Sequence, residues 1–60
     1  MIDLSLEFLS VEAARNYLRT QGYWPVHHRT HEVWAKRQHP TRFALRRNPA
    51  KDTWSIGVYE

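Results

Sequence analysis

The chain has 60 residues, no cysteine and a formal net charge of +3, and 42% of its residues are hydrophobic. A chain of this length buries only about 60% of its unfolded surface, so we expect one small domain spanning residues 1–60. The composition excludes a disulfide-dense secreted mini-protein and a disordered tail, and no apolar run approaches the roughly 20 residues of a membrane span. We therefore expect a cytoplasmic protein that does not enter membranes.

The first ten residues alternate between apolar and polar side chains. The apolar positions are Ile2, Leu4, Leu6 and Phe8. This pattern favours a short strand, although a frayed helical lead-in fits nearly as well. Two acids, Asp3 and Glu7, and the lack of a basic start argue against a signal peptide.

A helix is predicted over residues 11–21. Ser10 is a good N-cap, Glu12 lies in the first turn, and Gly22 is a natural stop after the last turn. Val11, Ala14 and Leu18 recur at helical spacing and form its apolar stripe.

A β-hairpin is predicted from about 41–47 to 53–59, with a turn over the Asn48–Asp52 segment. Val33, Trp34 and Ala35 make a further strand plausible. The favoured fold is therefore α+β, with one N-terminal helix packed on a three- to four-stranded antiparallel sheet. Trp24 is also assigned to the core, together with a main set of buried residues. That set is Leu18, Phe43, Leu45, Trp54, Ile56 and Val58.

Residues 26–37 admit a second interpretation. Val26, Thr30 and Val33 also fit a helical stripe, and Pro25 suits a first helical turn. Two helices followed by a hairpin wing would be similar to a small winged-helix domain of the excisionase type. The segment from Leu9 to Leu18 resembles the opening of such domains.

Positive charge concentrates between residues 23 and 47. Six cations and the single acid Glu32 give this segment +5, whereas the rest of the chain carries −2. Basic side chains interleaved with aromatic ones suit an anionic partner whose bases can stack, so we expect nucleic acid, either RNA or DNA, bound through a basic sheet face. The predicted contacts are Arg29, Trp34, Lys36, Arg37, Arg42, Arg46 and Arg47.

The same residue types also suit a protein-interaction or inhibitor module. Exposed Trp and Arg side chains form interface hot spots, and an edge strand at residues 54–59 would accept a partner strand or a second copy in a homodimer. The sequence leaves this alternative open.

All four histidines lie between residues 23 and 47. His27 and His31 are four residues apart, but the zinc-protease helix motif requires a histidine at the position of Ala35, and no thiol is present. We predict neither a metal nor a cofactor. A histidine among arginines is instead suited to metal-free general acid–base chemistry on RNA.

Residues 12–36 resemble the HicA-type ribonuclease toxins. Gly22-Tyr23 and then Thr30-His31 with Trp34 follow that family's order, although Arg29 replaces its usual glycine and residues 48–60 lack its closing helix. The resemblance implies a fold related to the double-stranded RNA-binding domain and a metal-independent ribonuclease with His31 as the catalytic histidine.

Overall fold

The computed structural model describes residues 2–28 and 31–59, with the side chains at 27, 28 and 31 outside that description. Its elements, in chain order, are β1 (Glu7–Phe8), α1 (Val11–Thr20), β2 (Trp24–His28), β3 (His31–Ala35), β4 (Arg42–Asn48) and β5 (Thr53–Tyr59). The strands form one antiparallel sheet in the order β1-β5-β4-β3-β2. The predicted α+β class is confirmed, with one more strand than the upper expectation.

Both ends of α1 follow the predicted signals. The Ser10 hydroxyl accepts a hydrogen bond from the Ala13 amide at 3.2 Å. At the other end the Gly22 amide donates to the Arg19 carbonyl and the Tyr23 amide to the Leu18 carbonyl, both at 3.0 Å. This is the Schellman pattern, and it needs the φ of +89° that Gly22 adopts.

Among residues 2–10, only Glu7 and Phe8 form a strand. Earlier in this segment the Asp3 carboxylate accepts hydrogen bonds from the Ser5 amide at 2.9 Å and the Ser5 hydroxyl at 2.6 Å. These bonds lower the pKa of Asp3. Such local side-chain bonds compete with a strand ladder, which explains why the alternation before residue 7 does not become a strand.

The two-helix alternative for residues 26–37 is wrong, because Trp24–His28 and His31–Ala35 are paired antiparallel strands. Val33 and Trp34 are consecutive and have 1% and 0% of their surface exposed. Neighbouring residues on a strand point to opposite faces, so a sheet buries both side chains, one on each face.

The core lies between α1 and one face of the sheet. It is built from Leu18, Trp34, Phe43 and Ile56, with Leu45 packed against it. Three of the predicted core residues, Leu18, Phe43 and Ile56, are thus confirmed as buried. Leu45 and Trp54 are half-buried.

Two expectations about burial fail. Val58 is 39% exposed and Trp24 is 47% exposed, although both were expected in the core. Trp24 pairs in register with Ala35, one strand position away from Trp34, and therefore lies on the opposite face. Within the described residues, no helix is long and apolar enough to cross a membrane.

Candidate nucleic-acid interface

The face of the sheet opposite α1 carries the strongest candidate site, and we call it the open face. Strand alternation and the pairing registers place on it Trp24, Val26, Val33, Ala35, Arg42, Ala44, Arg46, Gly57 and Tyr59. Small or β-branched residues occupy the centre of this face, and two arginines and two aromatic residues surround them.

The two arginines flank a shallow centre. Arg42 and Arg46 lie on β4 on either side of Ala44, with their Cα atoms about 13 Å apart along the strand. Ala44 pairs in register with Val33 on one side and Gly57 on the other. Val33 and Ala44 are nevertheless only 1% and 9% exposed, so neighbouring side chains already cover much of this row.

Gly57 brings the Arg46 side chain down onto the sheet. A Cβ atom at Gly57 would lie 2.6 Å from Arg46 Nε and 3.2 Å from its Cζ. Any larger residue would therefore displace the guanidinium. A glycine inside a strand often marks such a close approach, and here it lets Arg46 lie flat across β5.

The aromatic contribution comes from Trp24 rather than from Trp34. Trp24 pairs with Ala35, whose short side chain leaves the indole uncrowded on that side. Extending the β3–β4 register by one residue places Arg42 opposite Ala35, on the side away from Trp24. Trp24 and Arg42 are therefore two strands and about 10 Å apart across the sheet. That arrangement offers one stacking surface beside one cation.

The prediction that Trp34 projects outward to stack on a base is wrong. Its side chain is fully buried against α1. The indole Nε1 donates to Glu32 Oε2 at 2.8 Å, and the Arg19 guanidinium lies 5.4 Å from the ring centroid. Trp34 is therefore a structural residue.

The ion pairs separate the predicted cations into two groups. Arg47 is paired with Asp52 at 2.5 Å, and by alternation it lies on the helix side of β4. Arg37, Arg42 and Arg46 have no ion pair or hydrogen bond to any residue that the structure describes. The accessible charge is thus concentrated on the open face and the β3–β4 loop.

Glu32, the single acid of the basic segment, does not neutralise the open face. Its carboxylate lies on the helix side, where it accepts from Arg15 Nε at 3.0 Å and from Arg15 Nη2 at 2.8 Å. The hydrogen bonds that Arg15 donates to Glu32, and then the one that it donates to Glu12, raise the pKa of Arg15 above its ordinary value. The charges of Arg42 and Arg46 on the open face are therefore not offset by Glu32.

The remaining predicted residues lie elsewhere. Lys36 follows β3 on the helix side, with its ammonium 5.7 Å from the Tyr23 ring centroid. Arg37 is exposed in the loop, Arg29 lies outside the described residues, and so does the side chain of His31. The predicted catalytic role of His31 thus stays a prediction. No group of three or more potential metal ligands occurs among the side chains that are described.

No protein-family model, curated protein or solved structure matches the chain. The resemblance of residues 12–36 to HicA-type toxins therefore depends on the residues that suggested it. The open face likewise has to be interpreted from its own chemistry.

Gly57 was not predicted to belong to this face, although a glycine between Ile56 and Val58 interrupts an apolar strand and so gave a usable signal. Trp24 is one of the aromatic residues of the basic segment but was expected in the core. Its exposure depends on the register of a strand that the sequence did not define.

Proposed function

We propose that this protein binds single-stranded nucleic acid, RNA or DNA, through the open face. Arg42 and Arg46 contact phosphates, and Trp24 stacks on a base. The observation that carries the proposal is the pair of arginines without ionic partners among the described residues, set around a shallow row of small side chains and beside an exposed indole.

The physical argument favours single strands over duplexes. Proteins that bind single strands without strong sequence preference combine a cationic surface with aromatic side chains on which bases stack. A duplex keeps its bases stacked on one another, so Trp24 would have no base face to contact. Phosphate contacts supply affinity that falls with salt, and they carry no sequence information.

The test is fluorescence anisotropy with a labelled single strand of about 12 nucleotides and the corresponding duplex. Titrations at about 50 and 200 mM salt give the salt dependence. We expect tighter binding to the single strand. Equal, weak binding to both polymers that disappears at the higher salt would mean that the affinity comes only from net charge.

A charge-matched pair of variants distinguishes binding at the open face from general attraction by net charge. Arg42→Gln with Arg46→Gln removes two charges from the open face. Arg47→Gln with Lys51→Gln removes the same charge from residues already paired with Asp52 and Glu7. For a single strand each lost phosphate contact flattens the log–log salt slope by about 0.7, so the first variant should lose about 1.4 and the second much less. Equal losses would refute the site.

A second candidate function is pairing with a protein strand or a second copy at the β5 edge. β1 pairs only with Trp54 and Ser55, so among the described strands none pairs with residues 56–58 on that side. An open edge of this kind accepts an added strand. Light scattering at increasing protein concentration tests it: a discrete dimer insensitive to salt supports pairing, and a monomer throughout excludes self-pairing.

A further inference from the structure

We propose that a pocket on the helix side of the sheet binds a small amphipathic carboxylate, with Lys36 as the residue that pairs with the carboxylate group. The pocket has a volume of about 530 Å³. It lies on the opposite face from Trp24, Arg42 and Arg46, so this inference is independent of the proposed nucleic-acid binding.

The walls of the pocket are apolar. Phe43 forms its base and is nearly buried, and Leu4 and Val58 line it although they remain 46% and 39% exposed. Tyr23 closes one side, with its ring set edge-on to that of Phe43 at a centroid distance of 5.4 Å. The exposure of Leu4 and Val58 in a cleft of ligand size is what an apolar ligand body would cover.

The polar groups of the pocket select for an anion. Lys36, His39 and Thr41 line it from the β3–β4 loop, and no carboxylate is among its described lining residues. An ammonium, an imidazole N–H and a hydroxyl can all donate hydrogen bonds to a carboxylate. A cationic ligand would meet Lys36 without a compensating acid.

Lys36 is held in position by its surroundings. A Cβ atom at Gly22 would lie 3.2 Å from Lys36 Cε, so the glycine lets the lysine stem pass close to the end of α1. The ammonium then rests near the face of Tyr23, and it has no acidic partner among the described residues. A positioned cation without an ionic partner loses little side-chain entropy when it binds an anion.

The loop brings a second donor to the same end of the pocket. The His39 amide donates to the Lys36 carbonyl at 3.2 Å, which closes a tight turn, and Gln38 adopts a φ of +68° within it. This conformation is unfavourable for a residue with a side chain, and strained backbone of this kind is typical of binding sites. The turn keeps the Cα atoms of Lys36 and His39 within about 7 Å.

The probe is 4-phenylbutyrate, with its neutral amide as the matched ligand. We expect saturable shifts in ¹H–¹⁵N spectra, centred on the amides of Tyr23, Thr41 and Val58, and at least about tenfold weaker binding of the amide, equivalent to about 1.4 kcal/mol. Shifts that do not saturate, or that centre on the open face, would overturn the proposal.

Two variants identify the charged group. Lys36→Met keeps the apolar stem and should reduce the affinity for the carboxylate about tenfold while leaving the amide unchanged. Arg37→Met removes the neighbouring cation, which does not line the pocket, and should change neither. If both variants weaken the carboxylate equally, the effect is general electrostatics and the assignment of Lys36 is wrong. The far-ultraviolet circular dichroism of both variants should match that of the unaltered protein.

Discussion

Glu32 should be the polar side chain whose removal costs the most stability. Its carboxylate accepts two hydrogen bonds from Arg15 and one from the buried indole of Trp34. In Glu32→Ala the indole N–H loses its acceptor, which costs about 1–3 kcal/mol. The partly exposed ion pair with Arg15 adds at most about 1 kcal/mol.

The expected total is about 1–4 kcal/mol, which in a domain of this size lowers Tm by roughly 4–32 °C. Thermal and urea unfolding followed by circular dichroism measure it. The matched control is Glu12→Ala, since Glu12 pairs with the same Arg15 but its side chain is 65% exposed. That control should cost under about 0.5 kcal/mol.

A double-mutant cycle tests the cause. In a Trp34→Phe background no indole N–H remains to lose its partner, so Glu32→Ala should cost clearly less than it does alone. If Glu32→Ala and Glu12→Ala destabilise equally, or if the cost is unchanged in the Phe background, the hydrogen-bond argument is refuted.

Four further predictions address the open face, the core and the chemistry. Gly57→Ala should change the free energy of unfolding by less than about 1 kcal/mol, since the atoms that it displaces belong to the flexible Arg46 side chain. It should weaken single-strand binding as much as Arg46→Gln does, and unchanged affinity would show that the placement of Arg46 is unimportant. Trp24→Ala should cost about 1–3 kcal/mol of single-strand affinity and little for duplex, measured by anisotropy; an equal loss for both polymers would contradict stacking. Leu18→Ala should destabilise by about 2–5 kcal/mol in urea unfolding because Leu18 is fully buried; a cost under about 1 kcal/mol would contradict this core. Labelled RNA should remain intact with the folded protein, and cleavage that His31→Ala abolishes would instead support the HicA-type interpretation.

Local signals in the sequence were sufficient for the helix and the last hairpin. Ser10 and Gly22 mark the ends of α1 through hydrogen bonds within a few residues of each. The last hairpin was expected at about 41–47 and 53–59, and its strands lie at Arg42–Asn48 and Thr53–Tyr59. Both elements depend on short-range interactions that residue type reveals directly.

Which tryptophan faces the helix could not be predicted in the same way. Trp24 and Trp34 lie on neighbouring strands, and a shift of register by one residue would exchange the faces of one strand. The register is set by long-range packing of Trp34 against Leu18 and Phe43. The sequence therefore located a basic, aromatic sheet face without determining which aromatic residue it exposes.

The most direct test of the open face is a ¹H–¹⁵N spectrum titrated with an unlabelled single strand of about 12 nucleotides at about 150 mM salt. We predict that the amides of Ala44 and Gly57 and the indole N–H of Trp24 shift together and saturate, while the buried indole N–H of Trp34 stays in place. Shifts confined to the helix side or to the β3–β4 loop, or the absence of any saturable shift, would contradict nucleic-acid binding by this face.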